Sequence, residues 1–328
     1  MSSSTLISIP SILRLIVKID PSLSLIIKDT RSNFVHFHHV KRVLARLEHM
    51  YEYQCIHEEA EHLMLIGESG VGKSTLLSNY ARKHPVIEHQ ELTEIPVLYV
   101  PLGQAPSPKT MASTMLLALG DPKWNLGKEA DLTARLVFLI KTCRVRIVIV
   151  DEVNHLVDRG GEKTLHTTAD WLKRLVDATR VSFVLAGIPR SRRVLATNDQ
   201  LRGRFREVIE IERFSVANAE AEHEFRSVLN VFKGYLRDLP TVDISNKVMV
   251  RVFAFATDGR LRDIRRLLVR AVELAYAKRD PQLTTSVLAE AFRAVIYPGC
   301  PDDRNPFHKQ FNKMPLVKGD EPFAPVER

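Results

Sequence analysis

Cysteine is scarce in this 328-residue chain: Cys55, Cys143 and Cys300 are odd in number, far apart and without a CxxC pair. That excludes a disulfide framework and a cysteine zinc site, and reads as reduced thiols in a reducing compartment. Long apolar runs are missing too; none approaches the roughly 18 residues that a membrane span needs. The apolar patch Ile12 to Val17 is interrupted by Arg14 and lacks a following small-residue cleavage site, so the expected compartment is the cytoplasm, with no membrane partner. No internal repeat is visible, which excludes a repeat array. What is present is ordinary for a globular chain, with 45% apolar and 26% charged residues, enough to bury a sizeable core. The length suits a domain of about 200 residues plus a smaller one.

Lys and Arg outnumber Asp and Glu by 47 to 39, a formal charge of +8 and a pI near 9.4. Such a balance favours a polyanionic partner through counterion release, and serves as supporting evidence only.

The most informative stretch is Gly67 to Thr75, GESGVGKST, directly after the apolar run Leu63 to Ile66. It fits G-x-x-x-x-G-K-[ST] in the context that pattern requires, a strand before it and a helix-forming segment, Ser74 to Lys83, after it. Polyphosphate must be held by donors that approach closely. Glycines 67, 70 and 72 free the backbone to turn successive N–H groups into one concavity at a helix N-terminus. Gly67, Glu68, Ser69, Gly70, Val71, Gly72, Lys73, Ser74 and Thr75 are therefore the candidate ATP cradle. Lys73 would reach the β and γ phosphates, and the Ser74 hydroxyl would bind Mg²⁺.

Residues 1–35 are Ser-rich, with Pro10 and Pro21, and read as a loosely structured arm. From Phe37 helical spacing begins, through Val40, Val43, Leu44, Leu47, Met50 and Tyr51. Beyond the first strand, four more are expected at Pro96 to Val100, Arg146 to Val150, Val181 to Ala186 and Val208 to Ile211, short and rich in Val and Ile. Between them lie stripes of helical period, one opened by the cap and first-turn proline Ser107-Pro108. Alternation of strand and helix predicts an α/β fold over 36–214, a doubly wound five-stranded parallel sheet. Strand signals fade after Phe214, and 215–297 read as a small α-helical lid. The tail, 298–328, opens on Pro298 and is broken further at Pro301, Pro306, Pro315, Pro322 and Pro325, and is either a solvated end or a partner-docking peptide.

Ile147 to Val150 lead into Asp151 and Glu152. At the carboxyl end of a parallel strand, Asp151 would face Ser74 and hold Mg²⁺ through its water shell, while Glu152 would polarise the water attacking the γ phosphate. The other reading of the pair is an acidic cap on the next helix.

With both carboxylates, the segment Leu201-Arg202-Gly203-Arg204-Phe205 and the run Gly259 to Ile264 (GRLRDI), the chain resembles AAA+ P-loop NTPases of the initiator and clamp-loader branch. GESGVGKST, Val97 to Pro122, IVIVDEVNHL and VLAGIP are most similar to the TniB/TnsC transposition ATPases. The resemblance implies that Arg204 is an arginine finger for a neighbouring subunit's nucleotide and that Arg262 is the lid's sensor arginine; the other reading of each cluster is a solvated basic face. It implies a homo-oligomer, ring or helical filament, on double-stranded target DNA, recruiting a transposase with a targeting adaptor and leaving on ATP hydrolysis. Phosphate-contact candidates are Lys109, Thr110 and Lys123, residue types that bind backbone without reading bases, with Lys141, Arg144 and Arg146 behind them. No transposase-type carboxylate set is discernible here.

In one respect the pattern departs from the family. The fourth strand ends in Ala186-Gly187-Ile188-Pro189, where a polar, water-positioning residue is usual, and Asn154 is the substitute candidate. Two other readings keep the ATPase: a replication initiator or helicase loader, which should carry a helix-turn-helix, and a nucleotide-latched signalling ATPase that binds no DNA.

Overall fold

The computed structural model describes residues 20–325 except 34, 36, 58, 104, 105 and 160. Two helices, α1 (Pro21–Ser32) and α2 (His38–Ile56), precede strand β1 (His62–Gly67) and helix α3 (Lys73–Lys83). A two-stranded ribbon, β2 (Ile87–Glu88) and β3 (Thr93–Glu94), leads to β4 (Val97–Pro101), α4 (Pro108–Ala118), α5 (Glu129–Thr142) and β5 (Ile147–Asp151). Then come α6 (Asn154–Arg159), α7 (Gly161–Thr179), β6 (Ser182–Gly187), the short α8 (Arg192–Ala196) and α9 (Asp199–Arg204), and β7 (Glu207–Ile211). The lid is α10 (Ala219–Tyr235), α11 (Lys247–Thr257), α12 (Leu261–Tyr276) and α13 (Thr285–Val295).

Five strands form one parallel sheet in the order β4-β5-β6-β1-β7, with helices on both faces, as expected. Alternation along each strand divides the core. Leu63, Leu65, Val97, Ile147, Ile149, Val184, Ala186, Ile209 and Ile211 face α2, α3 and the lid. Met64, Ile66, Leu98, Val100, Val148, Val150, Phe183 and Leu185 face α4, α5 and α7. This parity carries function, because Tyr99 and Asp151 continue the first series on neighbouring strands, in register Tyr99 with Ile149 and Pro101 with Asp151.

The lid folds back on the sheet's carboxyl ends through two backbone bonds. Phe214 N–H donates to Gly259 O (3.0 Å), and Arg262 N–H donates to Gly70 O (2.9 Å). Among the described residues no helix is long and apolar enough to cross a membrane.

Two segments differ from their compositional reading. Residues 1–19 of the expected arm lie outside the described residues, but from Pro21 the chain is helical: Asp20 caps Ser22 N–H at 2.8 Å, proline opens the first turn, and Ile26 and Thr30 are buried. What holds α1 is α12, distant in sequence; Arg265 donates to the carbonyls of Arg31 and Asn33, both at 2.7 Å. The described part of the tail, 298–325, is packed as well. Phe307, Leu316 and Phe323 are buried in the lid's core, Phe307 packs edge-on to Phe253 and Phe292, and Phe323 lies under the Arg260 guanidinium. Its prolines interrupt regular structure without preventing burial.

Candidate nucleotide-binding site

At the end of β1 the chain turns through Glu68 to Val71 into α3. Gly70 and Gly72 have φ of +87° and +103°, a region that residues with a Cβ avoid, and Val71 between them is buried against the core. The Lys73 side chain, 8% exposed, curls back and donates to Gly67 O (2.7 Å) and Glu68 O (3.0 Å). Burial lowers its pKa, opposed by the charges of Asp151, Glu152 and Glu68. A buried ammonium held only by carbonyls is matched to an incoming polyanion.

Above the turn opens a cleft of about 580 Å³ bordered by Ser69, Gly70, Gly72, Lys73, Ser74, Thr75, Glu152 and Ile188 on the sheet side, and by Arg262, Arg266 and Arg270 on the lid side. Arg262 lies flat on Gly70 and donates from Nη1 to Ser69 Oγ at 3.3 Å. The recurrence of Arg262, Arg266 and Arg270 every four residues puts all three on one face of α12. Arg31 of α1 also borders the cleft, so the amino-terminal helix forms part of its wall.

Asp151 ends β5 and is 1% exposed. Its Oδ1 accepts the Glu152 N–H at 2.8 Å and its Oδ2 accepts the Tyr99 hydroxyl at 2.8 Å. Glu152 sits at φ +60°, a strained conformation for a non-glycine residue, and that turn brings it to the cleft. Asn154 opens α6, is buried, and does not border the cleft; its Oδ1 finds no hydrogen-bond partner. The glycine ending the fourth strand has a packing cause. A Cβ on Gly187 would stand 2.3 Å from Ser191 Oγ and 3.1 Å from a Val153 methyl, which leaves no space there for a polar side chain.

Arg204 lies at the other end of the sheet. It closes α9 beside His62, the first residue of β1, and the six residues of that strand put about 20 Å between it and the P-loop. Nε and Nη2 of Arg204 both pair with Asp177 Oδ1, at 3.1 and 3.0 Å. It cannot reach its own chain's cleft.

The three nucleic-acid candidates do not cluster. Lys109 and Thr110 are in the first turn of α4 and Lys123 follows its last, with an 11-residue helix of about 16 Å between. Lys109 and Lys123 are exposed. The Thr110 hydroxyl is committed to the helix cap, accepting from Ser107 N–H at 2.6 Å while Ser107 Oγ accepts Thr110 N–H at 3.2 Å. Of the second set, Arg146 is engaged with Tyr51 and Glu94.

Sequence reading missed Tyr99, Arg266, Arg270 and Arg31. For Tyr99 a signal existed: a tyrosine with the parity of Val97 on a strand otherwise apolar. The arginines needed the lid's docking to be known.

Sheet order, P-loop, paired carboxylates and helical lid together define an AAA+ P-loop NTPase. Solved structures agree on that fold: Pyrobaculum aerophilum Cdc6p superposes with a TM-score of 0.63 at 15% identity, covering 85% of this chain and 72% of its own. Aeropyrum pernix ORC1, solved in complex with DNA, gives 0.60 at 18% identity, covering 83% and 69%. Aeropyrum pernix ORC2, in ADPNP–ADP complexes, gives 0.60 at 16%, covering 81% and 71%. The chain belongs to the TniB family: the family described as "Bacterial TniB protein" matches residues 26–215, more than half of its length. Among curated proteins no sequence match reaches significance.

Proposed function

We propose that this protein is an ATP-hydrolysing regulator of DNA transposition, which assembles on duplex target DNA with ATP, recruits and activates a transposase with a targeting adaptor, and disassembles on hydrolysis. One observation carries the reading: Lys73, Glu152 and Arg262 converge on one cleft while Arg204 is held at the far end of the sheet, away from its own cleft, which supports a role toward a neighbouring copy. Membership of the TniB family supports transposition as the context.

Hydrolysis would use the chain's residues as follows. Glu152 accepts the proton of the attacking water. Lys73 and Arg262 stabilise charge on the transferred phosphoryl group, and a neighbour's Arg204 completes that stabilisation, an effect worth several orders of magnitude in comparable NTPases. The hydroxyl of Ser74 and the buried carboxylate of Asp151 form an all-oxygen set that fits Mg²⁺, and the ion, when bound, would neutralise phosphate charge. Making the fourth partner a separate subunit ties turnover to assembly.

The cleft's basic wall and the net charge support a polyanion nearby, and the solved DNA complex of Aeropyrum ORC1 supports DNA as one such partner for this fold. A replication initiator would rest on fold likeness at 14% to 18% identity, and is the weaker reading beside the family match. The test is the ATPase rate across a salt series with and without duplex DNA. We expect stimulation that fades as salt rises; equal rates throughout, with no DNA retained, would leave a nucleotide-latched switch in place of a transposition regulator.

A further inference from the structure

The metal-holding pair is not alone in its corner. Tyr99, half-buried on β4, donates its hydroxyl to Asp151 Oδ2 at 2.8 Å. Tyr99 and Asp151 share the sheet face toward α3 by strand parity, and Ser74 lies in the first turn of α3.

The Tyr99 hydroxyl is the donor in this bond and the carboxylate oxygen the acceptor. Asp151 receives one donor on each oxygen, Glu152 N–H on Oδ1 and Tyr99 on Oδ2, which fixes the carboxylate plane. A carboxylate has about four lone-pair sites, and two remain. The tyrosine ring packs against the apolar face, which holds its hydroxyl beside the Asp151 carboxylate.

We propose that Tyr99 is a positioning residue for the magnesium site: its hydroxyl fixes the orientation of the Asp151 carboxylate, which together with Ser74 would hold Mg²⁺. The proposal rests on the nucleotide–magnesium reading above and assigns to β4 a part of the site that the P-loop and β5 motifs do not contain.

The test uses full-length Tyr99→Phe, which removes one oxygen and keeps the ring. Binding of a fluorescent ATP analogue is measured in EDTA and then across a Mg²⁺ titration, for wild type and variant. Expected is an affinity in EDTA within about twofold of wild type and a Mg²⁺ concentration for half-maximal enhancement about tenfold higher, the loss of a hydrogen bond to a charged group. A merely structural tyrosine would shift both measurements or neither. An unchanged Mg²⁺ requirement overturns the role of Tyr99, and so does a lowered one, which would make the hydroxyl a competitor for Asp151. Absence of any Mg²⁺-dependent binding by wild type overturns the nucleotide reading, and this proposal with it.

Discussion

His62 shows how a single side chain at the far end of the sheet reports on Arg204. It opens β1, is 9% exposed, accepts the Phe183 N–H on Nδ1 at 3.2 Å, and lies within 5.1 Å, ring to ring, of Phe205. Burial depresses its pKa from 6.5 to about 4, the Arg204 charge adding to the effect and Asp177 and Glu61 opposing it. The folded protein therefore keeps His62 neutral where the unfolded chain already binds a proton. Its contribution to stability is intact above pH 6.5 and is lost as pH falls toward 4. The loss is on the order of 3 kcal/mol, from 1.36 kcal/mol per pKa unit. Urea titrations of wild type and His62→Gln at pH 7.5 and pH 4.5 measure it: the variant should lose less stability on acidification, and parallel curves would refute the assignment. NMR titration of His62 in Arg204→Ala should place its pKa higher, because one of the two depressing causes is gone.

At the scale of elements, α4 opens on a structural cap beside a lysine proposed to contact phosphate. Ser107 and Thr110 exchange hydrogen bonds across the first turn, a reciprocal cap that satisfies donors left open at a helix start. Thr110→Val should cost about 1 kcal/mol of stability, read in denaturant, and leave DNA affinity unchanged once the protein is folded. Lys109→Ala and Lys123→Ala should do the reverse, each lowering the salt dependence of DNA binding by about one unit of slope with stability held. A Thr110→Val protein of normal stability that binds DNA poorly would return the threonine to the contact set. The same element shows what was legible beforehand. Ser107-Pro108 announced its helix start locally, and the five strands announced themselves by apolar runs whose lengths and Val and Ile content suit a covered parallel sheet. The P-loop and the Asp151-Glu152 pair were legible because phosphate and metal chemistry confine residue types to a short window. By contrast α1, α9's orientation and the cleft's arginines depend on contacts between remote segments. Arg265 at the carbonyls of Arg31 and Asn33 has no local signature.

Across the whole molecule, the tail is where composition and structure part most widely, and its contacts give it mechanical meaning. Arg304, within the lid's flank, is buried with Glu321 at 2.6 Å, and the same guanidinium donates to Asn312 Oδ1 and Pro315 O, so that a chain broken by prolines is gathered around one cation. Asn305, fully buried, donates to Ala289 O of α13 at 3.0 Å. From this knot the strand runs on to Phe323, whose ring faces the guanidinium of Arg260 at 5.2 Å, two residues before Arg262. The tail thus ties the last lid helix to the start of α12, the helix that presents arginines to the cleft. Glu321→Ala leaves Arg304 buried without its counter-charge, a loss of about 3–5 kcal/mol for a pair broken on one side. Glu321→Ala with Arg304→Met removes both charges and should recover much of that loss. If the tail steadies Arg262 through Arg260, the single variant should also bind nucleotide more weakly than its residual folded fraction explains, and the double variant should regain affinity in step with stability. Stability recovered without affinity would separate the knot from the cleft; nucleotide affinity indifferent to both substitutions would make the tail a cover for Phe253 and Phe292 with no hold on the arginine above the P-loop.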